Sequence, residues 1–258
     1  MKHSFIDKYS GLNSHIHRLD PTVKLVAVFS AIVIIVSEPR GETGSFVFYG
    51  GIIFIILVIS RIPLKFILSR CLIVSPFILM AALFHPVSAA LTNNDHSLQL
   101  LLPEFGIALS IIFKAYLSVI LLTMLVSTEK FHNLLLGLRQ LRMPKLVGIL
   151  SALMYRYIFI LYDEALKTTR ARDSRTPGKL KVSRLKTFGN QSALIFLRSW
   201  ERSQTVHKSM LSRGFKGEFP PMQKMNAGTR DILYSSLFII IFLAIRLTNH
   251  SMGCFLFN

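Results

Sequence analysis

Residues 105–126, FGIALSIIFKAYLSVILLTMLV, decide the fold class, because this run of 22 residues is mostly apolar and Lys114 is its only charged residue. A helix of about 20 apolar residues crosses a bilayer core of about 30 Å. The run therefore predicts a transmembrane helix. An ionisable side chain at membrane depth is expensive and usually has a role. Two interpretations of Lys114 stay open, contact with a partner subunit or polar seam, and extension toward the membrane interface.

Four further apolar runs flank this stretch. They are residues 25–36, 46–59, 71–84 and 232–247. They are shorter than a full span, but neighbouring Ser, Thr and Tyr and extended Lys or Arg side chains lengthen them. We therefore predict an all-α polytopic membrane protein with about five transmembrane helices and a large cytoplasmic segment of amphipathic helices.

The composition combines strong basicity with strong hydrophobicity. Among 258 residues, 30 Lys and Arg oppose 13 Asp and Glu for a net charge of +17, yet 52% of residues are hydrophobic and the mean hydropathy is +0.50. These values exclude a disordered chain and disfavour a soluble nucleic-acid binder. Cys71 and Cys254 belong to no CxxC pair, so no disulfide or zinc framework is predicted.

The charges between the apolar runs alternate in sign. The net charge is +2 before the first run, then −1, +3 and −2 in the next three loops, and +13 over residues 128–231. The positive-inside rule then predicts a cytoplasmic N-terminus. The chain divides into a membrane region with four spans (1–127), a cytoplasmic module (128–230) and a final span (231–258).

The cytoplasmic module has the periodicity of three helices. The first is predicted to follow Thr128 as N-cap, the second to run from Lys145 until residues 173–178 stop it, and the third to start after Asn190. Gly214 is placed to adopt the left-handed conformation that ends the third helix. Arg213 would then lie at a helix C-terminus, with its guanidinium available to a partner.

Motifs for catalysis and metal binding are absent from the sequence. It contains no GxxxxGK[ST], GxSxG, HExxH or EF-hand pattern. His15 and His17 are two positions apart, but no carboxylate or cysteine lies beside them at ligand spacing. We therefore predict a non-enzymatic subunit that binds no metal and no cofactor of its own.

The basic helices have three possible ligands, which are anionic lipid heads, nucleic acid and acidic grooves of another protein. Nucleic acid is disfavoured, because the module lies between spans and lacks interleaved aromatic residues. Lipid heads attract lysines in general. Such attraction does not explain why arginines recur at the ends of two long amphipathic helices.

Several short motifs in order resemble one family over nearly the whole chain. They are SHIHRLDPTVKL (14–25), MYRY (154–157), DE (163–164) followed by ARD (171–173), and RSWER (198–202) leading to MLSRGF (210–215). Together they resemble the transmembrane T component of energy-coupling factor transporters, of the CbiQ type.

The resemblance implies a role for two arginine motifs. Family members carry two Ala-Arg-Gly-like triplets at the ends of coupling helices, and each central arginine docks in a groove of an ATP-binding subunit. The matching positions are Ala171, Arg172 and Asp173, and Ser212, Arg213 and Gly214. Asp173 departs from the glycine of the pattern, and Arg170 and Arg175 are neighbours that could take the place of Arg172.

The resemblance also implies partners and a substrate. These are two CbiO-like ATP-binding subunits that hydrolyse ATP, a CbiM-like substrate-capture membrane protein and the small CbiN, and the substrate is cobalt, or nickel in related members. Two other interpretations stay open. One is a T component for a vitamin, and the other is a membrane scaffold that binds anionic lipid.

Overall fold

A computed structural model describes residues 19–39, 44–60, 62–92, 98–175, 184–217 and 228–256, and all regular structure within these ranges is helical. It contains eight helices in these ranges, α1 (Pro21–Val36), α2 (Gly44–Ser60), α3 (Leu64–Thr92), α4 (Leu98–Thr128), α5 (Phe131–Gln140), α6 (Lys145–Arg175), α7 (Arg184–Ser212) and α8 (Thr229–Leu256). The predicted all-α class is confirmed.

Four helical segments are long and apolar enough to cross a membrane. They are Leu64–Phe84, Phe105–Thr128, Lys145–Arg175 and Thr229–Thr248. Three of them contain predicted spans. The fourth is α6, which the sequence predicts to be part of the cytoplasmic module. The helices α1 and α2 have 16 and 17 residues, or about 24 and 26 Å at 1.5 Å per residue. A polytopic membrane protein is therefore confirmed, with α6 as a further helix of spanning length.

The chain divides into two compact units. The membrane unit contains α1–α5 and α8, and the α6–α7 unit contains the other two helices. Within the membrane unit α4 packs on α1, α2 and α3, and α8 packs on α1 and α2. The centre of its core is formed by Ile35, Tyr49 and Phe242, which have no exposed surface. The rings of Tyr49 and Phe242 stack with 5.2 Å between their centroids.

The start of α1 is fixed by its own sequence and by a distant carboxylate. The Asp20 side chain caps the helix by accepting a hydrogen bond from the Thr22 amide at 2.9 Å, and Pro21 occupies the first turn. One turn further on, Lys24 forms a buried ion pair with Glu129, just after α4. Of the stretch that resembles the family, residues 14–18, which include His15 and His17, lie outside the described residues.

The short helix α5 packs against the start of α1, whereas the sequence predicts it to be part of the cytoplasmic module. Its N-cap position is Lys130, because Thr128 continues α4 and donates its hydroxyl to the Leu125 carbonyl. Gly137 permits the close packing, since a Cβ there would lie 3.2 Å from the Thr22 nitrogen. The membrane unit therefore includes α5.

Lys114 closes the opposite end of α1. Its ammonium group donates to the carbonyls of Val36 at 3.2 Å and Glu38 at 2.6 Å. These carbonyls lie at the helix C-terminus, where intrahelical partners are missing. The Glu38 carboxylate is buried and accepts a hydrogen bond from the Tyr49 hydroxyl at 2.6 Å. Of the two interpretations of Lys114, the structure therefore favours a polar seam within the chain.

Candidate functional site

The helix α6 changes character along its 31 residues. Its first half carries an apolar stripe at intervals of four residues, and all of its members are exposed within the described structure. They are Leu146, Leu150, Met154 and Ile158. The second half is polar and ends with Arg170, Arg172 and Arg175. Cations in the last turn are favoured by the helix dipole, which leaves partial negative charge on the terminal carbonyls.

The helix α7 ends as its sequence predicts. Gly214 has a φ of +78°, and its amide donates to the Leu211 carbonyl at 2.9 Å, while the Phe215 amide donates to Met210 at 3.0 Å. This pair of bonds is the Schellman arrangement, and it puts Arg213 at the C-cap position. The helix begins at Arg184 rather than after Asn190, because neither Gly189 nor Asn190 interrupts it.

Polar contacts join α6 to α7 in one region, which we call the clasp. Glu164 of α6 forms an ion pair with Arg198 of α7. The amide nitrogen of Gln191 on α7 donates to the Thr169 hydroxyl of α6 at 2.5 Å. Opening a contact made of a few polar groups exposes less apolar surface than opening a packed core. The two helices can therefore shift at this crossing at a low cost in free energy.

Arg172, the first arginine of interest, lies beside the clasp. Its Nε and Nη2 atoms donate to one oxygen of Asp173, at 2.9 and 2.7 Å. Its Nη1 atom donates to the Gln191 side-chain oxygen at 3.1 Å. The side chain is 38% exposed, so a partner can reach it. The neighbouring positions Ala171 and Asp173 are also exposed.

Arg213, the second arginine, is exposed, as are Ser212 and Gly214. Within the described ranges its guanidinium has no ion pair and no side-chain hydrogen bond. Gln191 contacts Arg172 and lies 22 positions before Arg213 on the same helix, which is about 33 Å along the axis. The structure therefore holds the two arginines apart.

Several of these polar partners were not predicted from the sequence. Gln191, the Glu164–Arg198 pair and the Lys24–Glu129 pair each join segments far apart in the chain. Periodicity and capping rules concern neighbouring residues, so they contain no signal for such pairs. Asp20 followed by Pro21 is different, because an N-cap residue before proline is a local signal for a helix start.

Comparison with known proteins shows similarity over most of the chain. The sequence model of the CbiQ family, described as cobalt transport protein, matches residues 13–225. An uncharacterised protein of Methanocaldococcus jannaschii is 26% identical over 248 residues, which are 93% of this chain and 91% of that protein.

Two further similar proteins have functional names. A protein of Methanocorpusculum labreanum named as a fused cobalt transport protein, CbiMQ, is 26% identical over 215 residues, 79% of this chain and 35% of that longer protein. The energy-coupling factor transporter transmembrane protein EcfT of Macrococcus caseolyticus is 26% identical over 232 residues, 83% of this chain and 85% of that protein. The residues that the family model matches include α6 and α7, the two helices that carry Arg172 and Arg213.

Proposed function

The chain belongs to the CbiQ family of cobalt transport proteins, and from this premise we propose that it is the transmembrane (T) subunit of an energy-coupling factor transporter for cobalt uptake. Two partner subunits hydrolyse ATP, and this chain transmits their movement without catalysing a reaction. Similarity to an EcfT protein over 85% of that protein supports the assignment to the T subunit.

The observation that carries the proposal is the position of Arg172 and Arg213 at the C-terminal ends of two long helices. A guanidinium group is planar and binds a carboxylate through two parallel hydrogen bonds. The distance of about 33 Å along α7 between Gln191, which contacts Arg172, and Arg213 supports separate grooves, one on each of two CbiO-like ATP-binding subunits. Arg170 and Arg175 are exposed neighbours and serve as internal comparisons for Arg172.

The clasp gives this pair of helices a way to transmit movement. When the ATP-binding subunits close on ATP, the two docked arginines are displaced relative to one another. Because α6 and α7 are joined at Glu164–Arg198 and at Gln191, displacement of their ends changes the crossing between them. Small shifts of one helix against another are a recurrent way of switching between two arrangements.

A CbiM-like membrane protein is the proposed capture subunit, with CbiN as an additional partner. A relative named as a fused CbiMQ protein contains both kinds of chain in one polypeptide, which supports their proximity. The exposed apolar stripe of α6 (Leu146, Leu150, Met154, Ile158) provides surface for such a membrane partner. Other basic side chains contact anionic lipid heads.

In this proposal the N-terminus and both arginines lie in the cytoplasm of a bacterial or archaeal cell. The excess of Lys and Arg over residues 128–231 supports that orientation. The helix α6 then lies along the membrane interface with its apolar stripe toward lipid or partner, although it has spanning length. Cysteine labelling from each side of the membrane at Ala171 and Ser212 tests the orientation.

Cobalt is the proposed substrate because the family and the fused relative are named for it. Nickel and vitamins are the competing substrates, because the EcfT relative, whose name specifies no cobalt, is 26% identical as well. The test is uptake of radioactive cobalt, radioactive nickel and a vitamin panel by cells or vesicles that contain the assembled complex. ATP-dependent uptake of cobalt supports the proposal, whereas uptake of a vitamin alone contradicts it.

A scaffold that binds anionic lipid is the rival function. Lipid attraction weakens gradually with salt and with the loss of any exposed Lys or Arg. Docking of ATP-binding subunits depends instead on a few positions. Co-purification of ATP-binding subunits with the wild-type chain, at a salt concentration that removes loosely bound protein, separates the two functions. Recovery of lipid without any ATP-binding subunit contradicts the proposed function.

A further inference from the structure

The two docking arginines differ in what holds them before a partner arrives. Arg172 donates two hydrogen bonds to Asp173 and one to Gln191. Arg213, in contrast, is exposed and has no ion pair among the residues that the structure describes. An acidic groove that binds Arg172 must therefore replace a carboxylate that is already present, and a groove that binds Arg213 need not.

Helix stability does not account for the carboxylate at position 173. Asp173 lies in the last turn of α6, two residues before the described part of the helix ends at Arg175. A negative charge there opposes the helix dipole, which favours cations at the C-terminus. The neighbouring guanidinium is the group that this carboxylate serves, since both Nε and Nη2 of Arg172 point to it.

We propose that Asp173 and Gln191 form a latch on Arg172, so that the first docking site binds its ATP-binding subunit only after exchanging internal partners for those of the groove. This inference rests on the proposed function. Arg213 docks without such an exchange and is the tighter of the two contacts. The latch therefore makes docking weaker at Arg172 than at Arg213. An acidic groove on an ATP-binding subunit is the partner that fits either arginine.

The latch also connects docking to the clasp. The Gln191 side-chain oxygen accepts from Arg172, while its nitrogen donates to Thr169 at 2.5 Å and lies 3.4 Å from the Thr168 hydroxyl. When Arg172 moves into a groove, Gln191 loses one of its contacts on α6. Binding of the ATP-binding subunit at this site therefore loosens the crossing of α6 and α7.

The expected size of the effect is modest, because an exposed ion pair contributes less than a buried one. Arg172 and Asp173 are 38% and 61% exposed, and exposed pairs shift an equilibrium by about two- to fivefold. Asp173→Asn should therefore tighten binding of the ATP-binding subunit by about two- to fivefold. Glu201→Gln is the matched control, since it removes one negative charge from the same unit without touching Arg172.

The experiment measures binding of the ATP-binding subunit that co-purifies with the wild-type chain to full-length variants in nanodiscs. It also measures the rate at which phenylglyoxal modifies Arg172 and Arg213 in the chain alone, followed by mass spectrometry. We expect Arg172 to react more slowly than Arg213, Asp173→Asn and Gln191→Leu to accelerate Arg172 only, and Glu201→Gln to change neither rate.

Two results overturn the latch. One is equal modification of Arg172 in the wild-type chain and in Asp173→Asn, and the other is unchanged or weaker binding by Asp173→Asn when Glu201→Gln binds as the wild type does. Either result leaves the proposed function intact as long as the wild-type chain retains its ATP-binding subunit. If the wild-type chain retains none, the proposed function fails and the latch with it.

Discussion

Lys24 of α1 forms a buried ion pair with Glu129, the residue that follows α4, across 105 positions of the chain. The two side chains are only 7% and 4% exposed. Asn133 of α5 donates to the second oxygen of the same carboxylate at 3.2 Å. One carboxylate thus joins the start of α1, the end of α4 and the start of α5.

Breaking this pair should strongly destabilise the membrane unit. Glu129→Ala leaves the Lys24 charge buried without its partner, which costs about 3–5 kcal/mol. The measurement is unfolding of the purified chain in detergent. Replacing both residues, as Lys24→Met with Glu129→Leu, should recover most of the loss because no buried charge remains. The exposed Lys130 is the control, and a loss as large in Lys130→Ala would show that the pair is not the cause.

Gly137 should be intolerant of a side chain. A Cβ there would lie 3.2 Å from the nitrogen and 3.3 Å from the Cα of Thr22, and backbone atoms do not rotate away. We expect Gly137→Ala to lower the free energy of unfolding by about 1–3 kcal/mol. Gly148→Ala in α6 is the matched change, since nothing lies within 4 Å of its Cβ position, and it should stabilise its helix by up to about 1 kcal/mol. Equal effects of both would contradict the close contact of α5 with α1.

The left-handed end of α7 should matter for Arg213. Gly214→Ala forces a side chain into a φ of +78°, at a cost of about 1–2 kcal/mol, so the helix end and the C-cap arginine lose their fixed geometry. We expect weaker retention of the ATP-binding subunit at moderate salt. Gly214→Asn should be milder, because Asn tolerates this conformation. Equal retention by the wild type, Gly214→Ala and Gly214→Asn would show that docking does not depend on the geometry of this helix end.

Removing the Lys114 ammonium should destabilise the other end of α1. Lys114→Leu leaves the carbonyls of Val36 and Glu38 without their donor, which we expect to cost about 1–3 kcal/mol. The measurement is again unfolding in detergent, with the exposed Lys65→Leu as control. A chain as stable as the wild type would indicate that Lys114 only extends toward the interface.

Local features of the fold were predictable from the sequence. The apolar runs 71–84, 105–126 and 232–247 predicted membrane helices, and all three lie in helices of spanning length. Gly214 after Ser212-Arg213 predicted the end of α7 because glycine adopts the left-handed conformation without a steric penalty. The first half of α6 was harder to assign, since an apolar face fits both an interface and a span.

Long-range pairs were not predictable. Nothing near Lys24 in the sequence indicates Glu129, and nothing near Arg172 indicates Gln191. The start of α7 lies at Arg184, earlier than predicted, because the helix continues through Gly189 and Asn190, although glycine costs about 1 kcal/mol in a helix interior. The positions of Arg172 and Arg213 were predicted, but their different surroundings required the structure.

The most direct test of coupling through these arginines compares two double variants of the assembled transporter. Truncating a docked arginine costs about 2–5 kcal/mol of binding, so Arg172→Ala with Arg213→Ala should lose the ATP-binding subunits and ATP-dependent cobalt uptake. Arg170→Ala with Arg175→Ala also removes two positive charges, both from the end of α6, and should retain the ATP-binding subunits and cobalt uptake. Normal uptake and undiminished co-purification in the first variant, or an equal loss in the second, would contradict the account.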